Sequence, residues 1–292
     1  MNKYHNSINY LLAKKTNFIP HGDKTFFDHM VGVYNFLRKI NQPDDVCFAG
    51  LFHSIYGNEF FDAGLNLSRE EIKNIIGPEA ESLVFKFNNT SREELWNSNN
   101  VKIKNILLAN KLDIDPLFNI HNYVFDEKNI DTLYGVFRDV KSWRFTGAGS
   151  NINSRKFNYE LNKKDKTDKI LFNAATNILK KENLFDFVKL KRAYASGYVY
   201  GTIHDFHTDD TANDYNEIFT VMFYLNKLWV LEYAGETVFL NKQRNDIEYS
   251  VSPSPGKAVI FDGFISHAAR EISRSCMELR MVATFKYGLK NV

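Results

Sequence analysis

The last third of the sequence is a series of short apolar runs separated by turn-forming residues. The runs are rich in β-branched and aromatic side chains, and Gly, Pro, Asn or Asp stands between them. They cover residues 217–226, 235–240, 247–253, 255–262 and 278–287. Short strands at this spacing are typical of a small antiparallel sandwich or barrel. The sequence therefore predicts a β-rich C-terminal domain.

A His-x-Asp triplet precedes these runs, and a further histidine lies before the last of them. In His207-Thr208-Asp209 the first and third residues point to the same face of an extended segment, so both can reach one ion. His267 follows 58 residues after Asp209. Two imidazoles and one carboxylate on one face of a metal, with the other positions open, are the ligand set of non-haem Fe(II) oxygenases.

His-x-Asp alone is common by chance, and this segment contains a competing pair, His204 and Asp205. Adjacent residues of a strand point to opposite faces, so His204 and Asp205 could not easily share one ion. We therefore predict that His207, Asp209 and His267 are the metal ligands.

The surrounding sequence resembles the prolyl-4-hydroxylase-like branch of the 2-oxoglutarate/Fe(II) dioxygenases. The shared elements, in order, are the His-x-Asp triplet, a strand ending in Tyr-Leu-Asn-x-x-Trp, a Gly-Glu-Thr turn, a Pro-x-x-Gly segment, the distal His and an Arg that opens a final strand. The matching residues after the triplet are Thr220, Tyr224, Leu225, Asn226, Trp229, Gly235, Glu236, Thr237, Pro253, Gly256, Phe261, His267 and Arg280. The resemblance covers residues 126–292 and implies a double-stranded β-helix, or jelly roll.

The resemblance also implies the cofactors. His207, Asp209 and His267 are expected to bind Fe(II), with 2-oxoglutarate as co-substrate, O2 as oxidant and ascorbate as an optional reductant. Halogenating relatives have Gly or Ala in place of the aspartate, so Asp209 favours hydroxylation or another oxidation over halogenation.

The 2-oxoglutarate site is expected on the final strand and its neighbours. A guanidinium can hold a carboxylate through two parallel hydrogen bonds, and the resemblance assigns this part to Arg280. Thr284, four residues later, lies on the same strand face. The resemblance adds Tyr224 and Tyr198 as cofactor-binding residues, although Tyr224 could equally be an ordinary core aromatic residue.

Arg270 and Arg274 are alternatives to Arg280. Arg280 follows His267 by 13 residues, more than the family pattern leads us to expect, and both other arginines lie in between. We prefer Arg280 because it alone begins a strand-like run.

Residues 1–120 have a helical pattern and are expected to form a separate domain. Helices are predicted near residues 26–37, 44–53, 79–87 and 101–112, and a further helix follows a capping box at Ser68–Glu71. The segments 21–22, 28–29, 49–57, 76–81 and 109–113 resemble an HD-type domain, whose members bind metal and often cleave phosphoesters. The residues from 115 to 126 have no clear period and are predicted to be a linker.

The HD-like pattern is degenerate. His21, His29 and His53 are present, but Ser54 and Asn110 stand where carboxylates are expected, although Asp113 is nearby. Divalent ions favour anionic oxygen ligands, so the losses weaken such a site. We expect a non-hydrolytic domain that is structural, dimerising or substrate-presenting, and its histidines are simply explained as hydrogen-bonded interior residues.

The composition limits the kinds of partner that the protein is expected to bind. Thirty-seven basic and 35 acidic residues give a formal charge of +2, which does not favour nucleic-acid or membrane binding. The two cysteines are far apart in the sequence, which argues against a disulfide framework and fits a cytoplasmic location. No apolar run reaches the length needed to span a membrane. The expected partner is a small-molecule or peptidyl substrate, and the chain could form a homodimer.

Together these features predict an α+β protein, with a helical HD-like domain (1–120) and a jelly-roll oxygenase domain (126–292). The expected reaction is oxidation of an amino acid, a peptidyl residue or a natural-product intermediate, with release of succinate and CO2. The alternatives are a metal-dependent phosphohydrolase in the first domain and a non-catalytic 2-oxoglutarate or oxygen sensor.

Overall fold

The computed structural model describes residues 2–114, 117–139, 141–147, 155–202, 204–209 and 218–290. The chain divides into two compact units, Met1–Pro116 with Asn291–Val292, and Leu117–Lys290. Helices dominate the first unit and antiparallel strands the second, as the sequence predicts. In the described residues no helix is long and apolar enough to cross a membrane.

The first unit contains seven described helices and one small hairpin. The helices are α1 (Lys3–Ala13), α2 (Phe26–Lys39), α3 (Asp44–Leu51), α4 (Arg69–Ile76), α5 (Pro78–Asn88), α6 (Arg92–Asn97) and α7 (Val101–Ile114). The hairpin pairs β1 (Pro20–His21) with β2 (Lys24–Thr25). Apolar residues at three- and four-residue spacing on α2 are buried in the unit's core, as expected from their period.

The helix α4 begins at the predicted cap, Ser68. The Ser68 side chain accepts from the Glu71 backbone N–H, and the Glu71 carboxylate forms an ion pair with Lys14 at 2.9 Å. A complete box lies further on, where Ser91 and Glu94 cap α6.

The second unit combines two helices with two antiparallel sheets. Its helices are α8 (Glu127–Asp139) and α9 (Lys166–Lys181). The strands are β3 (Phe118–His121), β4 (Arg144–Gly147), β5 (Arg155–Glu160), β6 (Val188–Tyr198), β7 (Phe219–Tyr224), β8 (Thr237–Leu240), β9 (Ile247–Val251), β10 (Ala258–Asp262), β11 (His267–Ala269) and β12 (Arg280–Leu289). The larger sheet has the order β3-β10-β7-β12-β6-β5-β4, and the smaller one β11-β8-β9.

The predicted linker is partly wrong. Phe118–His121 pairs with β10 and forms the edge of the seven-stranded sheet. A four-residue edge strand has too few residues to show a period, and it is held by pairing with a distant segment. In the described part of the chain, the second unit thus begins at Leu117.

The two sheets pack face to face. One core cluster combines Met222, Tyr224 and Val282 of the larger sheet with Phe239 and Val251 of the smaller. On β12, Arg280, Val282, Thr284 and Lys286 alternate onto this inner face, so four side chains of one strand line the interior between the sheets.

Candidate metal centre

Backbone hydrogen bonds fix the positions of the three predicted metal ligands. His207 and His267 exchange two main-chain hydrogen bonds, of 3.0 and 2.9 Å, in an antiparallel bridge. The Asp209 N–H donates to the Gly263 carbonyl at 2.8 Å. The His-x-Asp segment is thereby attached to the chain just before β11, which brings residues far apart in sequence to one place.

Both imidazoles are oriented with the same nitrogen toward Asp209. Nδ1 of His207 donates to the Asp205 carbonyl at 3.1 Å, and Nδ1 of His267 to the Ile265 carbonyl at 2.9 Å. Each Nε2 therefore carries a free lone pair. These Nε2 atoms lie 3.8 and 3.6 Å from Asp209 Oδ1.

The three side chains fit one metal ion. Their ligand atoms lie within 4.8 Å of one another, and no other group of three His, Cys, Asp or Glu residues in the described residues meets this condition. Ligand atoms bound at about 2.1 Å and at right angles are roughly 3 Å apart, so a small contraction would suffice. Two nitrogens and one carboxylate oxygen form a ligand set suited to Fe(II).

The second oxygen of Asp209 is held by two buried groups. Oδ2 accepts a hydrogen bond from Thr220 Oγ1 at 2.5 Å and forms an ion pair with Lys286 Nζ. Burial raises the pKa of Asp209, but Lys286 and His267 outweigh it, and the pKa lies below its usual value. The carboxylate is thus ionised and oriented, with Oδ1 directed to the histidines.

Lys286 was not among the predicted site residues. It is 2% exposed and lies on the inner face of β12, six residues after Arg280. The two-residue period that associates Thr284 with Arg280 also includes Lys286, so the sequence did contain a signal for it.

Arg280 lies in a cradle that the two sheets form together. Its Nε donates to the Gly235 carbonyl at 2.6 Å and its Nη2 to Thr237 Oγ1 at 2.8 Å. Its guanidinium carbon lies 5.3 Å from the ring centre of Tyr198 and 5.5 Å from that of Tyr224. Arg280 is 1% exposed, so this buried cation is suited to an anionic ligand.

The remaining predicted residues are placed as follows. Tyr224 is buried and its hydroxyl donates to Thr237 at 2.9 Å, which connects it to the cradle. Thr284 is buried on the same strand face as Arg280, opposite Met222. Arg270 and Arg274, the alternatives to Arg280, are both exposed.

His204, which we discounted as a ligand, does not join the metal cluster. Its ring packs edge-on against Tyr198, with centroids 4.6 Å apart. Its Nε2 is buried and has no hydrogen-bond partner in the described part of the chain. Burial lowers the pKa of His204 to about 4.

The histidines of the first unit form a separate interior network. His29 Nδ1 lies 2.6 Å from Asp113 Oδ2, which also pairs with Lys24 at 2.7 Å. His29 Nε2 lies 3.1 Å from His53 Nε2, and Asn110 Oδ1 lies 2.8 Å from the same His53 atom. Burial lowers the pKa of His53 to about 3, so this ring is neutral.

The two units match two different family models. Residues 193–287 match the family model described as the 2OG-Fe(II) oxygenase superfamily, where 2OG is 2-oxoglutarate. Residues 10–92 match a domain of unknown function, DUF6817, which does not identify an HD domain. No curated protein matches the sequence.

Solved structures of low sequence identity resemble the chain. A prolyl-4-hydroxylase from Pseudomonas putida is 15% identical, with a TM-score of 0.50 over 62% of this chain and 96% of that one. A Trichoplax adhaerens prolyl hydroxylase in complex with a hypoxia inducible factor peptide is 16% identical, with a TM-score of 0.49 over 61% and 86%. HygX from Streptomyces hygroscopicus, with nickel and 2-oxoglutarate bound, is 12% identical, with a TM-score of 0.46 over 68% and 87%. At these identities only the first bears on the fold, and on the fold alone.

The matched segment runs from within β6 to within β12, and it includes Arg280 and all three metal-ligand candidates. The second unit carries a 2OG-Fe(II) oxygenase domain. The protein is accordingly an oxidoreductase that uses Fe(II) and 2-oxoglutarate.

Proposed function

We propose that the protein is a hydroxylase of the prolyl-4-hydroxylase-like branch, acting on an amino acid, a peptidyl residue or a small natural-product intermediate. The observation that carries this proposal is the convergence of His207 Nε2 and His267 Nε2 on one oxygen of Asp209. Bound Fe(II), with O2 and 2-oxoglutarate, supplies the oxidising chemistry, and succinate and CO2 are released. The two antiparallel sheets and their shared core support a double-stranded β-helix.

Arg280 is proposed to bind the distal carboxylate of 2-oxoglutarate. Two of its guanidinium nitrogens are occupied by Gly235 and Thr237, while Nη1 has no partner in the part of the chain that the structure describes. The cradle therefore fixes the guanidinium plane and leaves a donor for the ligand. Tyr224, Tyr198 and Thr284 are proposed to complete this site.

The first unit is proposed to be a degenerate, non-hydrolytic HD-like domain. Its nearest carboxylate, Asp113, is engaged by His29 and Lys24. Neutral Asn110 and Ser54 stand where the resemblance expects acidic ligands. We also propose a cytoplasmic location and no nucleic-acid or membrane partner, on the strength of the composition alone.

Anaerobic titration of the apo-protein with Fe(II) and 2-oxoglutarate tests the oxygenase site. The wild type should develop the visible charge-transfer band of the iron–2-oxoglutarate chelate. His267→Ala should abolish the band, and Arg280→Ala should raise the required 2-oxoglutarate concentration by at least tenfold. Arg274→Ala, which changes an exposed arginine, is the matched control and should behave as the wild type.

Absence of the band in the wild type would overturn the proposal. Zinc- or manganese-dependent phosphatase activity that survives His207→Ala would favour a hydrolytic first unit. A sensor, by contrast, would form succinate slowly and would not be stimulated by any small molecule.

A further inference from the structure

The inner face that carries Arg280 and Lys286 continues from β12 across β6 to β5. Residues that pair across neighbouring strands point to the same face of a sheet, so the strand register identifies the side chains of this face. Val282, which belongs to the core between the sheets, pairs with Ser196 on β6, and Ser196 pairs with Asn158 on β5. The Ser196 hydroxyl donates to Asn158 Oδ1 at 2.9 Å, so the two side chains do lie on one face.

Positive side chains are concentrated on this continuation of the inner face. Arg192 on β6 is the cross-strand partner of Lys286. Lys156 lies two residues before Asn158 on β5, and Arg144 on β4 pairs with Asn158, so both share its face. We call Arg144, Lys156 and Arg192 the basic face. Arg144 and Arg192 are exposed and Lys156 is partly exposed, so the basic face is accessible to a ligand.

Two members of the basic face lie close to one aromatic ring. Lys156 Nζ is 5.9 Å from the ring centre of Tyr194, and the guanidinium carbon of Arg192 is 5.3 Å from it. Tyr194 pairs with Thr284 on β12, which is one of the proposed 2-oxoglutarate residues. The basic face therefore begins directly beside the proposed cofactor site.

Positive charge exceeds negative charge among the described residues of this region. Arg192 and Lys286 are like charges placed opposite each other, which is destabilising unless an anion compensates them. Asp209 pairs with Lys286, and Glu160 is the one acidic residue in the described strands β4, β5 and β6. Fe(II) and the 2-oxoglutarate dianion carry equal and opposite charges, so loading the site leaves the excess unchanged. These cations also make other contacts, so the excess of charge, rather than an unpaired group, favours an anionic ligand.

We propose that the basic face binds an anionic group of the oxidisable substrate, either a carboxylate or a phosphate, and thereby selects acidic substrates. Arg192 makes the main contact, because its strand pairs directly with that of Lys286, the partner of Asp209. Its guanidinium can donate two parallel hydrogen bonds to either kind of anion. Lys156 adds a second positive charge from the neighbouring strand. This inference rests on the proposed function and narrows its substrate class.

The test measures binding without turnover, in the anaerobic Fe(II) protein with saturating 2-oxoglutarate. N-acetyl-L-glutamate offers carboxylates and glycerol 1-phosphate offers a phosphate, and a perturbation of the chelate band reports their binding. N-acetyl-L-glutamine amide and glycerol are the matched uncharged probes. At least one anion should bind at least tenfold more tightly than its uncharged counterpart, and the tighter anion identifies the chemical class.

Variants then assign the contact. Arg192→Gln should weaken binding of that anion at least tenfold, and Lys156→Gln should weaken it by a smaller factor. Arg192→Lys keeps the positive charge and should retain most of the affinity. Arg274→Gln removes the same charge from an exposed arginine between β11 and β12 and should leave the affinity unchanged. Added NaCl should weaken binding to the wild type, because salt screens exposed charges.

The outcomes separate this inference from the proposed function. If the chelate forms but neither anion binds better than its uncharged probe, the substrate class is wrong and the oxygenase site stands. Wild-type affinity in Arg192→Gln would also overturn the inference. If no chelate forms in the wild type, the proposed function fails and this inference fails with it.

Discussion

Asp209 uses its two carboxylate oxygens for different contacts. Oδ1 faces the two histidines, while Oδ2 is held by Thr220 and Lys286. The side chain is almost fully buried, so its charge is compensated mainly by these neighbours. Lys286 therefore keeps the carboxylate ionised and correctly turned when no metal is bound.

Replacing Lys286 with Met should destabilise the metal-free protein more than the metal-bound one. The substitution leaves Asp209 as a buried anion without its cation, at a cost of about 3 kcal/mol. A bound divalent ion compensates the charge again. Urea denaturation of the second unit, with and without Mn(II), should show a larger stabilisation by metal in Lys286→Met than in the wild type.

Thr220→Val is the control for this prediction. It removes the hydrogen bond from an uncharged donor to the same carboxylate oxygen, at a cost of about 1.5–3 kcal/mol, and leaves the ion pair intact. Equal stabilisation by Mn(II) in the wild type and Lys286→Met would show that Lys286 does not compensate Asp209.

At the scale of single residues, the sequence allowed candidate site residues to be named, but not the contacts that they make. Face alternation in an extended segment related His207 to Asp209, and the surrounding sequence pattern added His267. That Lys286 pairs with Asp209 depends on which strands lie together, and no local pattern encodes this. The free Nε2 of His204 likewise became apparent only from its burial.

At the scale of elements, the turn before β8 supports the final strand. Gly235 has a φ of +77°, and its carbonyl accepts from Arg280. A Cβ added at this position would lie 3.2 Å from Arg280 Cδ and 3.3 Å from Trp229 Cζ2. The turn thus requires glycine for its conformation and for the close approach of Arg280.

Gly235→Ala should weaken 2-oxoglutarate binding about tenfold, because the new methyl group displaces the guanidinium. Strain at a positive φ alone costs about 1–2 kcal/mol, so a control must share it. Gly201→Ala is suitable, since Gly201 has a φ of +83° and nothing lies within 4 Å of an added Cβ. Calorimetric titration with 2-oxoglutarate should separate the two variants; equal affinities would mean that the turn does not position Arg280.

Several patterned elements were predicted, whereas α8 (13 residues), β6 (11 residues), α6 and β3 were not. The apolar stripe of α2 and the β-branched runs of β7, β10 and β12 carry their own periodicity. The strand β3 has only four residues, and α6 has six, so neither shows a full pattern. The strand β3 forms by pairing with β10, and the helix α6 is stabilised by its capping box.

At the scale of the whole molecule, each unit buries a neutral histidine. Burial lowers the pKa of His53 in the first unit to about 3 and that of His204 in the second to about 4, from a usual value of 6.5. In the unfolded chain these rings take up a proton near pH 6.5. The neutral folded forms therefore add stability above pH 6.5, and this is lost as the pH falls toward 4.

Each unit should lose about 1.4 kcal/mol of unfolding free energy per pH unit for each such histidine below pH 6. Urea denaturation between pH 7.5 and 4.5 measures these slopes. His53→Gln should reduce the slope of the first unit's transition, and His204→Phe that of the second. His5→Gln, at an exposed position, should change neither; unchanged slopes in both former variants would contradict the prediction.

The two-part organisation was apparent from the change in pattern, from helical periods to short β runs. The identity of the helical unit was less accessible. An HD-like pattern depends on a few polar residues, and here two of the expected carboxylates are Ser54 and Asn110. Without a complete set of charged ligand residues, the pattern indicates only a helical framework, which many functions share.

The bridge between His207 and His267 has a consequence for how the protein acquires its metal. Since main-chain hydrogen bonds already join the two segments, much of the entropy cost of bringing the ligands together falls on the folding of the polypeptide. The ion then enters a site that is nearly assembled. The chain can fold first, take up iron later, and release and reload it without coming apart.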